Sequence, residues 1–453
     1  MQRYVPRLAV LVGLTLVLTG CASAGAPTWT YAPAAATAAQ SAVVTSQPPT
    51  SPADKISIEA FDLGFTPSMP SVPAAGTYRV EFYNTGSTLH DVTFADGTKI
   101  AAEGGKTWTG SVTVPAAGLA FLCSIPGHAD AGMKGEVMVA GAASAATPAP
   151  AAADSIAPVA DPNAPKYALF DATAPIVLPG AVHDIDMPII DKDITVAEGF
   201  VVHAWTFGGQ VPGPTIRVHL GDTVNVHLTN QGAMSHSIDF HASQTAMNNQ
   251  MVEIAPGATF TYTFTADYAG VWMYHCGTAP ALHHIANGMY GMVIVEPKGG
   301  LPRVDQEVAL VQSEWYLGAQ KQPVDYPKAN AAAPAPDFVV FNGVANQYKD
   351  NPIQVTTKGR VRVFVLDVGP NVDSSFHVVG TIFDTVIKEG IALVKGNAGG
   401  YGSQAVDLSP AQGAIIEFSP QEDGMYPLVT HAFNFVGRGA LGLFMAGDGD
   451  PTN

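Results

Sequence analysis

Residues 272–289 read W-M-Y-H-C-G-T-A-P-A-L-H-H-I-A-N-G-M. His275 stands beside Cys276, His283 and His284 follow, and the run closes on Met289. A thiolate, imidazoles and a thioether in one short span are donors of a mononuclear blue (type 1) copper site, which takes trigonal His2Cys and a weak axial Met. The span supplies three of those four ligands and leaves His275 over, next to the cysteine. What His275 does separates an electron carrier from an enzyme.

The pattern recurs upstream. Residues 121–133, F-L-C-S-I-P-G-H-A-D-A-G-M, offer Cys123, His128 and Met133. Likewise H-D-V-T-F-A (90–95) aligns with H-S-I-D-F-H (236–241), which adds His90 to the first set and His236 to the second. The repeat also decides between two adjacent histidines. Four residues separate His128 from Met133 and His284 from Met289, whereas five separate His283 from Met289. His284 is therefore the expected ligand, and His283 reads as a polar loop residue at the rim. Each half resembles a cupredoxin, a Greek-key β-sandwich with an early His on one strand and a Cys–His–Met loop near its end.

The rest of the chain agrees with an all-β protein. It has 453 residues, enough for about three domains. Only 13% of residues are charged, and short alternating runs broken by Gly, Pro, Asn and Asp dominate. The pattern predicts strands at 56–61, 78–83, 91–94 and 119–123, then at 200–205, 215–219, 223–228, 259–265 and 292–295. Further strands are expected at 306–311, 360–366, 414–418 and 441–445. Ala/Pro-rich stretches at 22–53 and 141–165 read as linkers. They divide the chain into three tandem cupredoxin-like domains at 54–140, 166–298 and 299–453. A net charge of −17 argues against nucleic acid and suits a solvated acidic surface that a basic donor protein could approach.

The N-terminus reads as a targeting segment, residues 1–21. Arg3 and Arg7 precede an apolar run at 8–18 that is too short to span a bilayer. Leu18-Thr19-Gly20-Cys21 resembles a bacterial lipobox, with ordinary cleavage near Ala22–Ala24 as the alternative. A lipid on Cys21 would be the only membrane contact and would place the protein in the periplasm or at the cell surface. Cys21, Cys123 and Cys276 are the only cysteines, so two in copper clusters and one for lipidation leave none for a disulfide.

Strand periodicity sorts the remaining candidates. Side chains alternate faces, so Asp239 and His241 share one face, and His275 points away from Cys276. If His236 and Cys276 face the sandwich, Asp239, His241 and His275 face outward as part of a second metal site. Such a site wants about three protein ligands and an open position. No third histidine is evident on that face. The last domain has no Cys and two histidines, His377 and His431, which it could lend. The first domain carries Thr93, Ala95 and Leu122 where the second has Asp239, His241 and His275, the pattern of a carrier without catalysis. His183, His203, His219 and His227 lie in or near strands and read as structural or surface residues.

The segments M-S-H-S-I-D-F-H, Y-H-C-x7-H-I-A-N-G-M-Y-G, S-S-F-H-V-V-G and L-V-T-H together resemble the copper-containing nitrite reductases over about residues 166–447. The resemblance implies type 1 copper on His236, Cys276, His284 and Met289. It implies type 2 copper on His241, His275 and His431, with His431 coming from a neighbouring subunit of a homotrimer. Asp239 and His377 would flank the open position and deliver protons to nitrite, and Val379 falls where the family places a bulky aliphatic over the copper. The first domain, with type 1 copper on His90, Cys123, His128 and Met133, would then be a tethered relay from an external cytochrome c or cupredoxin. That makes two type 1 coppers and one type 2 copper per chain.

Two rivals remain. A laccase-like multicopper oxidase needs about eight histidines, typically in His-x-His pairs, to ligate its coppers. Here Cys276 is followed by Gly277 and no His-x-His pair occurs. A non-enzymatic electron-transfer lipoprotein would have no use for Asp239, His241 and His275.

Overall fold

The computed structural model describes residues 55–447 apart from 62–63, 87–88, 126–127, 130–132, 140–157 and 397. The targeting segment, Cys21, the linker at 22–53 and most of that at 141–165 lie outside them. Strands dominate the described residues and form six sheets. Predicted and observed strands agree within a few residues. Thr259–Thr265 matches at both ends, while 306–311 extends to Gln306–Trp315.

The sheets pack in three pairs because alternating apolar side chains need a second apolar face to cover them. In the first sandwich Ile56, Val80 and Phe82 meet Val92, Phe121 and Val137 from the opposing sheet. In the second, Met187, Trp205 and Val226 meet Val218, Phe240, Tyr274 and Val293. In the third, Val308, Val363 and Ile416 meet Phe376, Leu428 and Phe444.

One strand missed by the periodicity is Val182–Ala197, whose burial pattern alternates poorly. It pairs with Phe200–Phe207 on one side and Thr223–Asn230 on the other. A short helix, Ala281–Ala286, replaces the loop expected between Cys276 and Met289.

The second and third sandwiches share a further apolar core in which Val271, Met273 and Met292 pack with Val311, Trp315, Phe364 and Ile415. Burying each such side chain contributes about 1.5–3 kcal/mol. A charged network crosses the same boundary through the pair of Arg217 with Glu307. Arg217 pairs with Glu296 at 2.5 Å and with Glu307 at 2.7 Å, and Arg362 pairs with Glu307 and Glu417 at 2.6 Å each. The boundary also sets the metal-site faces. Along Gly270–His275, Tyr274 belongs to the core of its own sandwich, Met273 belongs to the shared core, and His275 continues the outward face.

Candidate metal centres

Three clusters of metal-ligating side chains stand out among the described residues: His90, Cys123 and His128; His236, Cys276 and His284; and Asp239, His241 and His275. The first two are superimposable in their bonding. In each, the two histidine Nδ1 atoms approach to 3.1 Å. Cys123 Sγ lies 3.5 Å from His128 Nδ1, and Cys276 Sγ lies 3.3 Å from His284 Nδ1 and 3.9 Å from His236 Nδ1. The loops close alike. The N–H of Cys123 donates to Met133 O at 2.9 Å and that of Cys276 to Met289 O at 3.1 Å. The N–H of each methionine donates to its histidine's carbonyl, Met133 to His128 at 3.0 Å and Met289 to His284 at 3.1 Å. Both methionines are fully buried.

The donor chemistry suits copper. Burial pushes His236 down to about 4 and His284 well below the usual range, the latter helped by the charges of His236, His283 and His128. Burial thus favours the neutral, ligating form of both imidazoles, whose Nδ1 atoms lie 3.1 Å apart. Burial also raises both thiols, so a metal must displace their protons on binding. Two imidazole nitrogens and a soft sulfur in a closed apolar pocket, beside a buried thioether, match a type 1 site.

The third cluster lies on the opposite face of the same strands. Asp239 pairs with His275 and Phe240 with Tyr274, in the register that joins Thr93 to Leu122 and Phe94 to Phe121 in the first sandwich. The structural equivalence read from the repeat therefore holds, and Thr93 and Leu122 offer no imidazole there. His241 Nε2 and His275 Nε2 are 3.1 Å apart, and Asp239 Oδ2 is 3.8 Å from His241 Nε2. His275 Nδ1 lies 2.9 Å from the carbonyl of Cys276. With the proton on Nδ1 the ring donates to that carbonyl, which leaves the Nε2 lone pair directed at His241. Burial, with the His275 charge behind it, lowers His241 and favours its neutral ligand form.

His377 and His431 come together in the third sandwich. Their ring centroids are 5.1 Å apart, His377 on the strand Ser374–Val378 and His431 directly after the adjacent strand Gly424–Thr430. His377 Nδ1 bonds the carbonyl of Gln404, and the N–H of His431 donates to Ser375 O at 2.7 Å. Val379 follows on the surface, 42% exposed. Neither histidine joins the Asp239, His241 and His275 cluster within one chain.

One expectation needs correction. His283 is no rim residue in a loop. It sits buried on the helix Ala281–Ala286, its ring 4.8 Å from Trp205 and 5.0 Å from Tyr326. A residue next to a ligand on a helix turns about a quarter of the way round the axis, so it meets a different neighbour. Trp205 itself escaped notice, although its ring lies 4.9 Å from His284 and 5.8 Å from His236. No ligand spacing marks such a packing residue. The remaining histidines are structural or surface groups as expected. His183 pairs with Asp222 at 2.9 Å, His203 with Asp193 at 2.8 Å and His227 with Asp184 at 3.0 Å.

The residues flanking the candidate ligands differ between the two His/Cys/His clusters. Asp91, almost fully buried, follows His90, and its carboxylate accepts from Ser124 N and Ser124 Oγ at 2.8 Å each, Thr93 Oγ1 at 2.9 Å and Lys99 Nζ at 2.9 Å. Burial opposes its charge, but the bonds from Ser124, Lys99 and Thr93 outweigh burial and hold the carboxyl below its usual range. Ser237 stands at the matching place in the second cluster. Its N–H reaches Cys276 Sγ at 3.4 Å, and its Oγ accepts from Gly277 N at 3.2 Å and Thr278 Oγ1 at 3.1 Å. A cavity of about 270 Å³ lies between the clusters, lined by Leu89, Ile125 and His128 on one side and Trp205, Met234 and His284 on the other.

Comparison with known proteins places this architecture. The copper-containing nitrite reductase of Neisseria meningitidis serogroup B is 41% identical over 268 residues, 57% of this chain and 67% of that protein. The chain belongs to the copper-containing nitrite reductase family. Members of this family are oxidoreductases, and the fold follows them. The copper nitrite reductase of Nitrosomonas europaea superposes with a TM-score of 0.54 at 33% identity, over 60% of this chain and 96% of that one. A multicopper oxidase family model matches residues 189–300. A solved multicopper oxidase is similar with a TM-score of 0.52 and 29% identity, over 62% of this chain and 94% of that one. What divides the two families here is the histidine inventory, since this chain has no His-x-His pair for a trinuclear cluster.

Proposed function

We propose that the protein reduces nitrite to nitric oxide at a type 2 copper held by His241, His275 and the His431 of a second copy in a homotrimer. The observation that carries this reading is the outward pair of Nε2 atoms of His241 and His275, 3.1 Å apart and bonded through His275 to the Cys276 carbonyl. A pure electron carrier has no use for that pair. When bound, type 1 copper would supply a one-electron store and type 2 copper a Lewis-acidic position for the nitrite anion.

The chain's own groups do the rest. His236, Cys276, His284 and Met289 would hold the type 1 copper, and the His275–Cys276 peptide joins the two ligand sets covalently. Nitrite takes up one electron and two protons and releases water with nitric oxide. Asp239, 3.8 Å from His241, stands beside the residues that would hold the type 2 copper and suits proton delivery. His377, anchored through Nδ1 to Gln404 O, keeps Nε2 for the same task, and Val379 beside it would limit how nitrite lies.

The first sandwich, read as a separate domain holding type 1 copper on His90, Cys123, His128 and Met133, would serve as a relay. His128 and His284 line one cavity, which supports a short route between them. The donor feeding it would be a cytochrome c or a cupredoxin, and Cys21 would anchor the chain by a lipid outside the cytoplasm. Metal analysis should give two type 1 coppers and one type 2 copper per chain. His431→Ala should abolish nitric oxide production from nitrite under anaerobic conditions while the blue absorption stays. Unchanged production would overturn the site.

A further inference from the structure

We propose that Asp91 and Ser237, the residues directly after the first histidine of each blue-copper cluster, set the direction of electron flow from the first sandwich to the second. The inference rests on the relay reading above and adds its driving force.

The two positions are equivalent in backbone and opposite in chemistry. Each residue directs its side chain at the loop that follows the cysteine, Asp91 to Ser124 at 2.8 Å and Ser237 to Gly277 and Thr278 at 3.2 and 3.1 Å. Asp91 brings a buried negative charge there, while Ser237 and Thr278 bring neutral hydroxyls. A negative charge beside a copper–thiolate unit stabilises the oxidised, more positive state and lowers the reduction potential. Neutral donors near the sulfur withdraw electron density from it and favour the reduced state. Hydrogen bonding around the cysteine sulfur is a recognised control on such potentials.

Lys99 tempers the effect without cancelling it. Its ammonium lies 2.9 Å from Asp91 but is half exposed, so water screens it more than the carboxylate. The expected order is a lower potential at the Cys123 site than at the Cys276 site. One electron then passes from the reduced first site to the oxidised second site, with no atom or proton exchanged.

The test uses the full-length, copper-loaded protein with one blue site left at a time. Cys276→Ser isolates the first site and Cys123→Ser the second, and each is titrated spectroelectrochemically. The first site should lie lower by at least a tenfold bias in the electron equilibrium, about 59 mV for a one-electron couple. In the Cys276→Ser protein, Asp91→Asn should raise the potential and Lys99→Met should lower it. In the Cys123→Ser protein, Ser237→Asp should lower it, which tests the rule even where Asp91→Asn fails to retain its blue band. Equal or reversed potentials, or potentials that ignore these substitutions, would overturn the inference. Pulsed reduction of the parent protein separates this from the relay. If the potentials are ordered as stated but no electron passes between the sites, the relay fails and the tuning by Asp91 and Ser237 stands.

Discussion

Copper-free protein should lose stability in a defined acid window, and His236 should carry a calculable share of the loss. Its ring is fully buried, and burial pushes its pKa in the folded chain down to about 4 from an ordinary 6.5. Between those two values the unfolded chain holds the proton and the folded chain does not. Stability is therefore level above pH 6.5, falls as the pH drops toward 4, and levels again below it. At 1.36 kcal/mol per pH step, the difference between pH 7 and pH 4.5 is on the order of 2 kcal/mol, a few tens-fold in the folding equilibrium. His284 shifts the same way and deepens the fall. The assay is urea denaturation of chelator-treated protein at both pH values, followed by tryptophan fluorescence, because the Trp205 ring packs 5.8 Å from that of His236. His236→Leu should flatten the pH dependence by about 2 kcal/mol, whatever its effect at pH 7. If parent and variant lose the same stability between the two pH values, His236 is not held neutral by burial, and the account of a preformed ligand pocket fails.

Two further outcomes follow from other parts of the structure. Glu307→Ala removes the carboxylate shared by Arg217 and Arg362, each of which keeps one buried partner, Glu296 and Glu417. The loss should be about 2–3 kcal/mol, a fall in Tm on the order of 5–10 °C by calorimetry, and an unchanged Tm would show that the pairs contribute nothing net. Asp239→Asn should leave the metal content and blue absorption intact and lower nitrite turnover by about 10²–10⁴, the range for losing a general acid. Turnover near the parent value at full copper loading would remove Asp239 from proton delivery.

What was legible in the sequence follows from what repeats in it. Strand alternation is a local rule, so the division between Cys276 facing inward and His275 facing outward is legible in the sequence, as is the equivalence of Thr93 and Leu122 with Asp239 and His275. The spacing to Met289 singled out His284 because a closing loop must bring the same backbone atoms together in both halves, which the paired Cys–Met and Met–His hydrogen bonds do. Features that depend on a neighbour in space carried no such mark. His283 became a buried ring because a helix turned it onto Trp205 and Tyr326, and neither aromatic is near it in sequence. Val182–Ala197 was missed because its first half pairs with one strand and its second half with another, and its burial alternates poorly over the whole length. The cavity joining His128 to His284 depends on how one sandwich rests on another, and no periodicity reports that. Asp91 and Ser237 fall between these cases. Their positions were visible as the residues after two aligned histidines, yet their difference acquires meaning only once the structure sets each against the loop beyond a cysteine. A repeat thus marks the candidate ligands through what its copies share, and the proposed direction of transfer rests on the buried charge that one copy has and the other lacks.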